Sequence, residues 1–208
     1  MKDGDLMTIG IDIDDTITNT SEYANSLLKK YKKYSYVKDY HDLNEKDRFR
    51  FFIENVYDIH NNCTVKPDVV EVLKWLKNND WRIVLITARG NSYYYEDEIA
   101  AIIMKDTNEY LDNHGIYYDK IVFHQYLKSD ACVEEKVDIF IDDKEFILDD
   151  VAKRGIRTLK MGDKKEHSKH QIVSSWLELK DILSEVMNNG WSYYWRWFKT
   201  RWYYGSKY

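Results

Sequence analysis

Two carboxylates, Asp12 and Asp14, close an apolar run in Ile9-Gly10-Ile11-Asp12-Ile13-Asp14-Asp15-Thr16. Residues two apart on an extended backbone project to the same side, so both acids can face one pocket. One can attack phosphorus to form an aspartyl-phosphate. The other can protonate the leaving oxygen and later deprotonate the attacking water. Repulsion between them in a poorly solvated pocket raises one pKa and favours that division of labour. Aspartates after an apolar strand also serve as helix N-caps and turn residues, so the pair takes its meaning from what accompanies it.

Three further apolar runs end in residues suited to the same chemistry. Ile83-Val84-Leu85-Ile86 leads into Thr87-Ala88-Arg89, where a hydroxyl and the adjoining backbone N–H groups can hold a phosphate oxygen. Lys128 follows the run Lys120 to Phe123 and precedes a helical segment, Ser129 to Glu135. Its charge and a helix N-terminus together can stabilise a transferring phosphoryl group. Lys136 is the rival lysine, and placement before the helix favours Lys128. Val137 to Ile141 ends in Asp142-Asp143, hard oxygen ligands of the kind Mg²⁺ takes in ones and twos beside substrate phosphate. The alternative for that acid pair is to cap the helix beginning near Lys144.

The elements that must carry these residues alternate. Leu6 to Ile13, Trp81 to Ile86, Lys120 to Phe123, Val137 to Ile141 and Ile156 to Leu159 are short and rich in Ile and Val, as buried parallel strands are. Helical spacing runs through Val69, Val70, Val72, Leu73 and Leu76, then through Ile99, Ile102, Ile103, Tyr110 and Leu111. Pro67 stands where a helix begins, and Gly115 and Gly155 where helices stop. The pattern predicts an α/β doubly wound parallel sheet, whose ligands bind at the carboxyl ends of the strands. Two helical patterns, around Tyr23 to Tyr31 and Phe49 to Tyr57, follow the first strand with no strand between them. Residues 17–66 are therefore expected to form a small helical cap above the carboxyl edge, with 1–16 and 67–190 forming the core. Trp176 to Met187 reads as the last amphipathic helix, closed by Asn188-Asn189-Gly190.

Composition sets the class. A chain of 208 residues with one proline, 44% hydrophobic and 32% charged residues can bury a full core, which excludes a disordered linker and a stapled mini-protein. Ten of the aromatic residues lie in the last eighteen positions, Trp191 to Tyr208, together with Arg196, Lys199, Arg201, Lys207 and no acid. The chain total of −5 thus leaves −9 on the 190 residues before that segment. A body so acidic is a poor ligand for nucleic-acid backbones, and no stable nucleic-acid complex is expected. Cys63 and Cys132 form neither a metal spacing nor a disulfide framework, which suits a reducing compartment. The N-terminus reaches an aspartate before a signal-peptide core forms, and no stretch approaches the roughly eighteen apolar residues of a membrane span. A cytoplasmic protein is expected.

An acid pair, a hydroxyl, a lysine and a second acid pair, in that order on successive strand ends, resemble the four motifs of the haloacid dehalogenase-like hydrolase superfamily. The resemblance covers roughly residues 6–160. It implies Asp12 as nucleophile and Mg²⁺ ligand, and Asp14 as general acid/base that also lends the metal its backbone carbonyl. It implies Thr87, Ala88, Lys128 and Asp15 as phosphate-binding residues, and Asp142 with Asp143 as the rest of the metal site. Acid at position 14 favours phosphate esters, since dehalogenating members lack it. The runs Ile9 to Thr20, Ile86-Thr87-Ala88-Arg89 and Phe140-Ile141-Asp142-Asp143 are similar to bacterial nucleotidases grouped with the 5′(3′)-deoxyribonucleotidases. Asp15 departs from the pattern, standing where many members have glycine.

The implied function is a Mg²⁺-dependent phosphomonoesterase on nucleoside monophosphates, with a sugar phosphate or another small metabolite phosphate as the alternative substrate. A catalytically idle binding domain of the same fold is the reading from another class, and retention of both Asp12 and Asp14 argues against it. If residues 191–208 are helical, Trp191, Tyr194, Trp195, Phe198 and Trp202 share one stripe. Such a stripe suits packing on the body, a homo-oligomer contact, or a peripheral place at an anionic membrane.

Overall fold

The computed structural model describes residues 6–91 and 96–188. The aromatic stripe of 191–208 and the Asn189-Gly190 stop lie outside them. Six strands, β1 (Thr8–Ile11), β2 (Arg82–Ile86), β3 (Lys120–Val122), β4 (Ile139–Asp142), β5 (Arg157–Met161) and β6 (Gln171–Val173), form one sheet in the order β3-β2-β1-β4-β5-β6. Every neighbouring pair is parallel. The chain begins in the middle, builds outward through β2 and β3, then returns to the other side of β1. The crevice between β1 and β4 is therefore the switch point at which sheets of this kind bind ligands.

Alternation along the strands explains the two helical layers. Ile83 and Leu85 face one side with Ile9, Ile11, Ile139 and Ile141, and pack against α3 (Val69–Asn78), α4 (Asp97–Asn113) and α7 (Trp176–Asn188). Val84, Ile86 and Phe140 face the other side, against α5 (Ser129–Glu134) and α6 (Glu145–Ala152). Each such Ile or Leu, taken fully out of water, contributes roughly 1.5–3 kcal/mol. Gly10 is needed where β1 passes β4, because a Cβ there would stand 2.8 Å from Phe140 Cδ2 and 3.1 Å from Val137 Cγ1.

The segment between β1 and α3 is helical, with α1 (Thr20–Leu28) and α2 (Glu45–Asn62) joined through two short 3₁₀ turns. Asn44 caps α2, accepting the Asp47 N–H at 3.0 Å. These elements bury a small apolar cluster of their own, including Leu27, Leu28, Tyr34, Leu43, Phe51 and Ile59. The two chain crossings that join this segment to the sheet run side by side. Asn19 N–H donates to Thr64 O, and Lys66 N–H to Ile17 O, both at 2.8 Å.

Three local readings change. β6 escapes the sequence pattern because its three residues follow a polar stretch. β4 extends to Asp142, so that acid ends the strand rather than following it. Pro67 lies two positions before α3, because Asp68 takes a left-handed turn (φ 64°) at the helix start. Both cysteines are buried and free. Among the described residues, no helix is long and apolar enough to cross a membrane.

Candidate active site

Asp12 and Asp142 meet at the switch point. Ile11 is level with Ile141 in the ladder, and the Asp12 N–H continues it by donating to Ile141 O at 3.0 Å. Both side chains are buried. Lys128, at the start of α5, reaches between them: its ammonium is 2.6 Å from Asp12 Oδ1 and 2.7 Å from Asp142 Oδ2. The second oxygen of Asp142 accepts the Lys144 N–H at 2.8 Å. Oxygens of Asp12, Asp142 and Asp143 all lie within 4.8 Å of one another. Sequence separations of more than a hundred residues thus collapse into one buried cluster.

The electrostatics follow from burial. Asp12 is pushed up to about 7 by loss of water, against the downward pull of Lys128, with Asp142 and Asp14 adding to the rise. Burial likewise holds Asp143 well above the usual carboxylate range, over the opposing pull of Lys144. Lys128 moves up from its ordinary value: burial disfavours its charge, and Asp12 and Asp142 more than reverse that. Asp143 Oδ1 is buried with no hydrogen-bond partner. An orphaned carboxylate oxygen beside two more acids is a set of hard donors with spare acceptor capacity, and it fits Mg²⁺.

Asp14 is held differently from Asp12. Its Oδ1 accepts Arg89 Nη2 at 2.7 Å and the Thr20 hydroxyl at 2.7 Å, and its Oδ2 accepts Arg89 Nε at 3.1 Å. Burial would raise its pKa, but the Arg89 guanidinium outweighs burial and keeps the carboxyl far below the usual range. Arg89 itself is buried beside Thr107 of α4, whose hydroxyl lies 3.4 Å from Nη1. His60, at the end of α2, faces the same pair. Burial, reinforced by Arg89, lowers its pKa to about 3 against the pull of Asp14.

Asp15 adopts a left-handed turn (φ 58°), and its carboxylate accepts the Ser21 N–H at 2.8 Å and the Ser21 hydroxyl. That carboxylate is occupied at the start of α1 and carries the wrong sign for a phosphate, so only its backbone N–H is suited to one. Thr87 is buried just past β2, its hydroxyl accepting the Arg89 N–H at 3.1 Å, with Ala88 half-buried between them. The structure therefore gathers Asp12, Lys128, Asp142 and Asp143 into one cluster. Asp14 is clamped next to it, and Thr87 and Ala88 sit on the neighbouring strand end.

Two participants were not apparent from the sequence. Arg89 is one, since nothing local shows that it crosses to a residue 75 positions away. Lys144 is the other. Against the cost of enclosing its nitrogen, Asp143, Asp12 and Asp142 keep its ammonium above the ordinary value. A lysine at the N-terminus of α6 opposes the helix dipole, and that misplacement next to two acids was the available signal.

The six-stranded parallel sheet with helices on both faces is the Rossmann-like fold of haloacid dehalogenase-type proteins. Solved structures agree. A haloacid dehalogenase-like family hydrolase from Streptococcus pneumoniae superposes with a TM-score of 0.61 at 14% identity, covering 86% of this chain and 98% of that one. A predicted phosphatase from Clostridium acetobutylicum gives 0.61 at 16%, over 86% and 99% of the two chains. A predicted phosphoglycolate phosphatase from Haemophilus somnus 129PT gives 0.55 at 15%, over 86% and 98%. No protein-family model and no curated protein matches the sequence.

Proposed function

We propose that this protein is a Mg²⁺-dependent phosphomonoesterase that works through an aspartyl-phosphate on Asp12, with nucleoside monophosphates as its substrates. The observation that carries the reading is the buried Asp12–Lys128–Asp142 bridge at the switch point. A phosphoryl group arriving there would meet a carboxylate oxygen and a fixed ammonium together.

In the first step an Asp12 oxygen bonds to phosphorus as the bond to the ester oxygen breaks, and the departing oxygen takes the proton that Asp14 gains from solvent when the negative charge of the bound phosphate settles beside it and offsets Arg89. In the second, water bonds to phosphorus, its proton goes to Asp14, and the bond to Asp12 is released. Lys128 neutralises charge on the transferring group from a site that needs no reorganisation. The Thr87 hydroxyl and the Ala88 N–H are the neutral donors of the neighbouring strand end. Mg²⁺, held by Asp12, Asp142 and Asp143 with the Asp14 carbonyl, would supply further charge neutralisation and orient the phosphate. Loss of water around Asp12 costs it ionisation even with Lys128 beside it, and a bound cation would restore it.

The nucleotide preference is supported by the similarity of the Ile9–Thr20 and Ile86–Arg89 runs to nucleotidases and by a small helical segment suited to a compact substrate. The test is phosphate release, with Mg²⁺, from a panel of ribo- and deoxynucleoside monophosphates and sugar phosphates. Wild-type protein releases phosphate and Asp12→Asn does not; equal activity in that variant ends the covalent mechanism. A nucleotide preference below a few-fold over sugar phosphates removes the nucleotidase assignment and leaves the phosphatase one.

A further inference from the structure

Charge is divided unevenly along this chain. Residues 17–66 hold nine Lys and Arg against seven Asp and Glu, a balance of +2, so the −9 of residues 1–190 leaves −11 on the part that builds the sheet and its flanking helices. Five of those nine cations fall within ten positions, Lys29-Lys30-Tyr31-Lys32-Lys33-Tyr34-Ser35-Tyr36-Val37-Lys38, a stretch without an acid.

Folding makes this stretch one-sided. Leu28 ends α1, and a 3₁₀ turn follows at Lys32–Tyr34. Tyr34 is buried, and its ring meets Phe51 edge-on at 5.9 Å, as the ring of Tyr31 does at 5.5 Å. With those rings turned into the apolar cluster of the helical insertion, all five lysines are left exposed. Lys33 has an acid, Glu54, at 3.4 Å, in a pair open to water on both sides and therefore weak. Lys29, Lys30, Lys32 and Lys38 form no ion pair among the described residues. Tyr36 stands among them, 65% exposed.

Position separates this surface from the catalytic acids. Thr20, at the start of α1, donates to Asp14, and the nine residues of that helix carry the chain about 13 Å before Lys29 is reached. That exceeds the Debye length of about 8 Å at physiological salt, so the acid cluster does little to cancel the field of the turn.

We propose that the lysine turn is a docking surface for the anionic face of a lipid bilayer. Exposed cations in a cluster of this size suit such a face, each adding attraction near the surface, and Tyr36 suits the interfacial layer. A charged plane can touch the turn while the catalytic acids stay beyond screening distance. Single-stranded nucleic acid, the other extended polyanion, is held by bases stacked on exposed rings, and here the rings of Tyr31 and Tyr34 are turned inward. The docking uses no chemistry at Asp12, so it is independent of the phosphomonoesterase reading.

The test is sedimentation of the full chain with vesicles of phosphatidylcholine alone and with roughly a third phosphatidylserine. Wild type should partition onto the anionic vesicles and not the neutral ones, and should come off as salt rises from about 0.1 M to about 0.5 M. Lys29→Gln, Lys30→Gln, Lys32→Gln and Lys38→Gln combined should lower that partitioning roughly 100-fold. A second variant removes the same charge from the sheet-bearing part, through Lys74→Gln, Lys105→Gln, Lys153→Gln and Lys165→Gln, and should bind within about threefold of wild type. All eight side chains are exposed, so both variants should keep the wild-type melting temperature. A wild type silent on anionic vesicles, equal binding to neutral ones, full binding by the first variant, or an equal loss in the second would overturn the proposal. Binding of wild type to a single-stranded oligonucleotide but to no vesicle, lost in the first variant, would overturn it too and assign the turn to nucleic acid.

Discussion

The Lys128 ammonium lies 2.6 Å from Oδ1 of Asp12, with both side chains sealed from solvent. Lys128→Met would leave Asp12 facing Asp142 with no cation between them. Removing one partner of a buried pair typically costs about 3–5 kcal/mol. Urea unfolding should show a loss of that order, and phosphate release should fall by at least about 100-fold. Adding Asp142→Asn should recover part of the stability and none of the activity, because it removes the second unpaired charge.

His60 gives the acid limb of stability a sign. Its folded pKa of about 3 lies below the ordinary 6.5, so between those values the unfolded chain binds the proton and the folded one does not. This stability is fully present above about 6.5 and drains as pH falls toward 3, by up to about 1.4 kcal/mol per pH unit. Unfolding midpoints at pH 7, 6 and 5 should therefore fall more steeply for wild type than for His60→Leu. Parallel curves would show that His60 protonates without penalty.

Gly10→Ala should destabilise by about 1–3 kcal/mol through overpacking, because the new methyl meets Phe140 and Val137 in the centre of the sheet. Differential scanning calorimetry would read the lowered melting temperature. Unchanged stability would mean that β1 and β4 can slide apart at no cost.

Trp176 is buried at the start of α7, and its indole N–H donates to Thr16 O at 3.0 Å. Trp176→Phe leaves that carbonyl buried without its donor, at about 1–3 kcal/mol. Thr16 lies one residue past Asp15, so kcat should fall along with stability. A variant with lowered stability and full kcat would show that the turn after Asp14 is held by other contacts.

Strand ends were legible in the sequence because an apolar run stopping at an acid or a threonine is a local event. Pairing was not local. Ile9-Gly10-Ile11-Asp12 announces a strand and its end, but nothing within ten residues shows that Lys128 will bridge Asp12 to Asp142, or that Arg89 will turn toward Asp14. β6 was invisible because three residues give no periodicity. Pro67 misled by two residues, since Asp68 in the left-handed region was unreadable from residue type. The partner of Asp15 was concealed for a different reason: Ser21 looks like any helix-start serine until the chain is folded.

The central adjacency of β1 and β4 also sets a timetable. Thr8 and Asp138 exchange hydrogen bonds across a sequence separation of 130, the same that divides Asp12 from Asp142. Parallel pairing over such a span is among the slower steps a chain can make. On a ribosome adding about 5–20 residues per second, the two halves emerge on the order of ten seconds apart. A nascent chain therefore carries half an acid cluster for that time, and the repulsive trio is brought together only when nearly the whole sheet exists to hold it.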